Sequence, residues 1–393
     1  MITLTPTEIA NLEADACAEI EKSHQAAWSD ITSQGLKRPQ YEAQFVARLC
    51  VAARRIAHLW RPRIRGIDPT LRLSVGSVFT HQTPYVKWTD KTPTGTTAKR
   101  CELADLLVVM IDRTGTPEVG RAMLIQAKQS DTGNTTLATA SEKKQFELLS
   151  TRPVFDVDAI PAPTAVNLKR HTPDDALLYG LTPPDATPVT TATASAWNQH
   201  RWEIADQLKS VAGKYAVTAS PCLAAAMVEQ LQGKRGWSFE LPPNVPVQED
   251  WDYFTHPPHM DDWSALMNYL LEVTFGKPLA QLASGGGSPP DRGLEAPLFF
   301  VSHTPKGRPM FAILQRDAGG DLPPSGKPEQ SDKVERAGAE PWLRIAPTTF
   351  QDLFNVEPEG SDAQTEGEGG WENGPISVIV LDLDRRREGP AAH

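Results

Sequence analysis

The sequence lacks any stretch of 18 consecutive apolar residues, which excludes a hydrophobic membrane-spanning helix and any membrane partner of that kind. Where a signal peptide would need an apolar run, the N-terminus places Glu8, Glu13, Asp15 and Glu19, so a cytoplasmic protein is expected. Cysteine is scarce. Cys17, Cys50, Cys101 and Cys222 stand apart with no CxxC pair, which argues against a disulfide framework and a cysteine-rich zinc site and predicts reduced, mostly buried thiols. The glycine-lysine pairs at Gly213, Gly233, Gly276 and Gly326 lack the earlier glycine of a phosphate-binding loop, so the chain is not itself a P-loop ATPase. It also has no GxSxG, HExxH or dinucleotide fingerprint.

What is present is an ordinary globular composition. Of 393 residues, 40% are hydrophobic, enough for a sizeable core and a soft expectation of two to three domains. Proline is over-represented at 34 residues, mostly in the second half, which predicts long irregular connections there. The segments SGGGSPPDRG, DAGGDLPPSGKPEQSDKVERAGAEP and EPEGSDAQTEGEGGWENGP are expected to be loop or disordered. The net charge of -10 argues against a general nucleic-acid coat, yet it is unevenly spread. Residues 1–150 carry 19 basic against 16 acidic side chains, whereas residues 151–393 carry 20 against 33. In the basic part, Arg54, Arg55, Arg61, Arg63 and Arg65 fall within twelve residues. They are dense enough for a phosphate-binding patch, or else complement the C-terminal end of a helix.

Apolar periodicity predicts a helix over residues 5–30 capped by Thr5 or Thr7, and a stronger one from Tyr41 to Trp60 with Phe45, Leu49, Ala52, Ile56 and Leu59 in one stripe. Glu42 lies about 20° from Leu49 on the helical wheel, so a carboxylate heads that stripe and needs a partner or a metal. Next come LRLSVGSVFTHQTPYVKW, and then two apolar runs around Gly115, Pro117 and Gly120. Ala104 to Ile111 and Ala122 to Gln129 are expected to pair as an antiparallel hairpin, followed by a helix over Ser141 to Ser150. Further on, AWNQHRWEIADQLKSVAG, SPCLAAAMVEQLQG and DDWSALMNYLLEVTFG read as helices, the last capped by Asp261 or Asp262. APLFFVSH, FAILQR and ISVIVLDLD read as strands.

Chemistry concentrates on the hairpin. Gln126 and Lys128 are two apart on a strand and project from one face. Asp105 meets them there if it pairs opposite Gln126 or Lys128; opposite Ala127 it would face the other way. A two-residue turn at Gly115 and Thr116 sets Asp105 opposite Gln126. This pattern, Asp105 then Gln126-Ala127-Lys128, resembles the PD-(D/E)XK nuclease superfamily, with its restriction endonuclease-like fold, in the Mrr-like variant where Gln replaces the central acid. Glu42 stands where the superfamily carries a Glu on the preceding helix, and Gln145 where some branches carry a Gln on the following one; Leu149 replaces the Tyr that usually comes four residues later. The resemblance covers about residues 40–150.

It implies an α/β fold, a mixed central sheet flanked by helices, over residues 1–155, with residues 156–393 as a C-terminal α+β elaboration that binds a partner or packs on the core. It implies Mg- or Mn-dependent hydrolysis of DNA phosphodiesters. Asp105, Gln126 and an auxiliary carboxylate, Glu42 ahead of Glu102, would hold the metal, Lys128 would act on water or phosphate, and the arginine cluster with Gln145 and His81 would bind nucleic acid. Similar bacterial chains belong to restriction or antiphage systems with a separate ATPase or sensor, and homo-oligomers are open to them. Rival readings are a degenerate nuclease-fold subunit that only binds nucleic acid or protein, and a zinc hydrolase on His256 and His259. The prolines between those histidines forbid the helical spacing that zinc hydrolases use. His81 also has the plainer reading of a polar residue on an edge strand.

Overall fold

The computed structural model describes residues 2–34, 41–79, 84–92, 95–130, 134–137, 139–158, 163–171, 175–183, 202–205, 210–211, 214–216, 222–241, 260–271, 274, 298–303, 309–317 and 376–385. His81, His256, His259 and the three Gly- and Pro-rich segments expected to be irregular lie outside these residues. In chain order the elements are α1 (Pro6–Gln34), α2 (Tyr41–Ile67), β1 (Leu71–Phe79), β2 (Tyr85–Thr92), β3 (Gly95–Glu102), β4 (Leu106–Asp112), β5 (Val119–Gln129), β6 (Asn134–Thr136), α3 (Ala140–Thr151) and β7 (Asp156–Val157). There follow β8 (Leu177–Thr182), β9 (Glu203–Ala205), β10 (Ser210–Val211), β11 (Lys214–Ala216), α4 (Leu223–Leu231), β12 (Trp237–Glu240), α5 (Asp262–Leu271), β13 (Leu298–His303), β14 (Pro309–Asp317) and β15 (Val378–Arg385).

The architecture is α/β around a mixed central sheet. Its strand order is β13-β14-β1-β15-β4-β5-β8-β9, and β12 pairs with part of β5. β15 runs parallel to β4 and β8 parallel to β5, while the other pairings are antiparallel. Strands from both sides of residue 155 thus share one sheet. β4 is buried along its whole length, which is why LLVVMI reads as continuous apolar sequence and not as an alternation. One face of the sheet packs on α1, α2 and α4 through Leu106, Val108, Met123 and Ile125. The other, through Leu107, Val109, Ala122 and Leu124, packs on α3, α5 and the small β3-β2-β7 sheet.

Local chemistry accounts for the helix ends. Thr5 and Glu8 form a reciprocal capping box at the start of α1, as do Thr139 and Glu142 at α3. Asp261 caps α5, accepting the Ser264 N–H at 2.7 Å. α2 continues seven residues beyond the expected Trp60 despite an internal Pro62. Pro62 and His58, whose carbonyl loses its helical partner, both lie on the side exposed to solvent, while Trp60 and Ile64 remain fully buried. The buried stripe therefore turns from Ile56 to Trp60, and Leu59 is 36% exposed.

One further expectation is corrected. The segment expected to be a helix around residues 196–213 contains strands β9 and β10. Trp202 and Ile204 are buried at a spacing of two, and Trp202 covers Gly180 of β8, where a Cβ would meet its ring at 2.9 Å. β3, unassigned in the sequence, pairs with β2 as a hairpin. Its exposed, charged GTTAKR stretch carries no apolar alternation to announce a strand. No helix among the described residues is long and apolar enough to cross a membrane.

A close approach at Gly120 gives a direct test of the sheet's packing. Phe239 of β12 stands opposite Gly120 of β5, and a Cβ at that position would fall inside its buried ring. Gly120→Ala is expected to lower unfolding free energy by about 1–3 kcal/mol in chemical denaturation. An unchanged denaturation midpoint would show that the ring swings aside freely.

Candidate functional site

The β4–β5 register decides whether the polar residues meet. Leu106 lies opposite Ile125, which sets Asp105 opposite Gln126, the register expected from sequence. The connection is a longer one, residues 113–118, that preserves the same alignment. The Asp105 N–H donates to the Ile125 carbonyl at 3.1 Å, extending the ladder to the first residue before β4. Asp105, Gln126 and Lys128 consequently share the sheet face of Leu107 and Leu124.

Asp105 Oδ2 accepts two bonds, from the Gln126 side-chain amide and, at 2.7 Å, from the Ala127 N–H. Lys128 Nζ lies 3.0 Å from Glu42 Oε2, and Glu42 Oε1 accepts the Gln129 N–H at 3.2 Å. Glu42 in the first turn of α2 therefore grips the end of β5 by a charge and a backbone amide together. The partner its position required is Lys128. Gln126 is 1% exposed and Lys128 7% exposed, so both polar groups are removed from water.

Electrostatics follow from that burial. Asp105 is pushed up to about 7, first by burial and further by the charge of Glu42, while Lys128, the Ala127 N–H and Gln126 pull the other way. For Lys128, burial works against the charged form, but Glu42 and Asp105 outweigh it and hold the ammonium above the ordinary lysine value. Near neutral pH the site thus contains a lasting cation beside an aspartate that exchanges its proton.

Other expected residues are placed differently. Arg61 is buried and its Nε donates to the Leu73 carbonyl at 2.9 Å, and Arg63 is paired with Asp15 through two bonds. Both serve the α1–α2–β1 packing. Arg55 is exposed, Arg65 is half-buried, and the side chain of Arg54 lies outside the described residues. At 1.5 Å per residue, Arg61 to Arg65 stand about 30 Å along α2 from Glu42, too far to touch a phosphate held at Asp105. Glu102 ends β3 opposite Tyr85, and the charges acting on Asp105 are those of Lys128 and Glu42. Gln145 is buried on α3, on the sheet face that carries Gln126 and Lys128.

Sequence reasoning missed three contributors. Glu142, which caps α3, adds its charge to those holding Lys128 protonated. The main-chain N–H groups of Ala127 and Gln129 hold the two carboxylates, and backbone donors carry no residue signature. Behind Gln129, Thr182 of β8 contacts His24 Nδ1 at 3.1 Å, and His24 stacks on Phe45 of α2 with centroids 4.4 Å apart. His24 falls four residues after Ile20 on the buried face of α1, the one signal that could have drawn attention to it.

The donor set for a cation at this site is small. The carboxylates are few: among the described residues no group of three or more His, Cys, Asp or Glu side chains gathers to hold a metal. Magnesium, however, is held by one or two carboxylates with several waters retained. Gln126 Oε1 is buried with no hydrogen-bond partner among the described residues, a neutral oxygen left unmatched beside Asp105. No family model, curated protein or solved structure matches this chain.

Proposed function

We propose that the chain is a metal-dependent nuclease of the restriction endonuclease-like type that hydrolyses DNA phosphodiesters. The observation that carries this reading is the register that sets Asp105 opposite Gln126, with Lys128 two residues further along the same strand face and held there by Glu42 of α2. Asp105 and the Gln126 amide oxygen would hold Mg or Mn. Such an ion, when bound, polarises a phosphoryl oxygen and acidifies water.

The chain's own groups divide the remaining work. Lys128 stays protonated at neutral pH, so its part is to neutralise charge developing on the phosphate and to orient the attacking water, not to remove a proton. Glu42 fixes the Lys128 ammonium and keeps it beside Asp105. Because no phosphate-binding-loop motif is present, the energy-coupling or sensing step of a bacterial restriction or antiphage system would fall to a separate ATPase or sensor protein. A non-catalytic DNA-binding subunit is the second reading, favoured by the small number of carboxylates at the site.

Incubation of the full chain with linear or plasmid DNA and Mg or Mn is expected to give cleavage that EDTA abolishes. Asp105→Asn is expected to weaken Mg binding at least about tenfold in calorimetric titration, since it removes the one carboxylate paired with Gln126. Mg affinity and DNA cleavage both indifferent to Asp105→Asn would defeat the assignment. DNA binding by wild type without cleavage under any metal would favour the second reading.

A further inference from the structure

We propose that Cys17 and Cys222 form a reversible peroxide-sensitive dithiol, a modification site separate from the carboxylate–lysine group. The two residues are 205 positions apart in sequence, yet the fold brings their sulfurs to 3.9 Å, close enough for one thiol to donate to the other. A disulfide requires about 2.05 Å between sulfurs, a movement that side-chain rotation and a small backbone adjustment can supply. Cys17 lies on α1 and is partly exposed; Cys222 is the residue before the first turn of α4 and is 8% exposed.

The surroundings divide the two sulfurs into nucleophile and resolving thiol. The Cys17 hydrogen bond favours a Cys222 thiolate, and the Ala225 and Ala224 amides of α4 add to it, so that Cys222 is lowered to about 7 against the opposing effect of burial. Cys17 is shifted upward by its bond to Cys222, by burial and by Glu13. The other two cysteines behave oppositely. Cys50 is enclosed in the core, Cys101 is nearly so, and burial raises both, making them inert internal controls.

The limited exposure of Cys222 favours a small oxidant such as hydrogen peroxide over a bulky disulfide. The Cys222 thiolate attacks one peroxide oxygen, the O–O bond breaks, and hydroxide leaves to give a sulfenic acid. Cys17 then attacks that sulfur, its proton leaves with the departing hydroxyl as water, and an S–S bond forms. In all, two thiols lose two electrons and one peroxide becomes two waters. The product would staple α1 to α4 on the sheet face that both helices cover.

The test uses the full chain exposed to hydrogen peroxide, followed by peptide mapping without reductant. A Cys17–Cys222 cross-linked peptide is expected, with Cys50 and Cys101 remaining thiols, full reversal by dithiothreitol, and a thermal midpoint several degrees higher in the oxidised protein. In the Cys17→Ser variant, dimedone is expected to label Cys222. Four thiols persisting under peroxide, or a cross-link that includes Cys50 or Cys101, would overturn the proposal. Irreversible sulfonic acid at Cys222 of the wild type, without a cross-link, would do the same.

Discussion

Lys128→Met is expected to slow Mg-dependent DNA cleavage about 10³-fold while leaving Mg binding intact or tightened. The magnitude is that of removing one preorganised cationic or hydrogen-bonding group from the charge that develops in the transition state. The separation of cleavage from metal binding follows from the local charges. Lys128 is the cation whose charge acts on Asp105, so its loss removes repulsion against a divalent ion as well as the group that stabilises the reacting phosphate. The substitution keeps a chain of similar length in the buried slot between β5 and α2. Glu42, whose side chain is 27% exposed, can rehydrate once its partner is gone. Loss of Lys128 also removes the main charge holding Asp105 down, so residual activity should move to higher pH. Single-turnover cleavage with parallel metal titration checks both parts. Cleavage at the wild-type rate would remove Lys128 from the chemistry, and loss of metal binding in step with cleavage would point to collapse of the site.

The second large effect is a pH dependence set by Asp105. Its carboxyl is raised from an ordinary value of 3.8 to about 7, chiefly by burial. A raised carboxylate pKa means that the folded state binds the proton more tightly than the unfolded chain does. The stabilisation from this group is therefore complete below about pH 4 and is lost as pH rises through about 7. In metal-free protein this amounts to a loss on the order of a few kcal/mol across that window. Asp105→Asn should flatten the profile, because a neutral amide has no proton to lose. Binding of Mg selects the ionised carboxylate, so metal affinity is expected to rise about tenfold per pH unit below 7 and to level off above it, with about one proton released per ion at pH 6. Denaturation from pH 4 to 9 with and without Mg, together with calorimetry in two buffers of different ionisation enthalpy, reads both quantities. An identical profile in wild type and Asp105→Asn would show that Asp105 is not the controlling group.

The two predictions rest on features of different legibility. The Asp105–Gln126 alignment was open to sequence reasoning because β pairing has a period of two. Once Ala104–Ile111 and Ala122–Gln129 are recognised as a hairpin, only alignments of one parity keep both apolar faces buried. Glu42 was legible for a related reason: a carboxylate at the head of an apolar helical stripe demands compensation, and Lys128 provides it. The roles of Arg61 and Arg63 were not legible. A run of arginines on a helix has the same sequence whether it faces phosphate, solvent, a β1 carbonyl or Asp15, and only the packing of α1 and β1 on α2 assigns Arg61 and Arg63 to structural partners.

The sequence by itself determined the α/β class, the two long N-terminal helices, the β4–β5 hairpin and the face on which its polar residues gather. Each is encoded in local periodicity, and periodicity survives without knowledge of distant contacts. Tertiary structure alone decided that β15, more than 250 residues from β4, would lie parallel beside it, that Glu203–Ala205 would form a strand, and that Cys17 would meet Cys222. It also decided how far the Asp105 carboxyl moves from its ordinary value. These outcomes depend on which surfaces exclude water together, and that choice is made by the whole chain at once, not by any window of it.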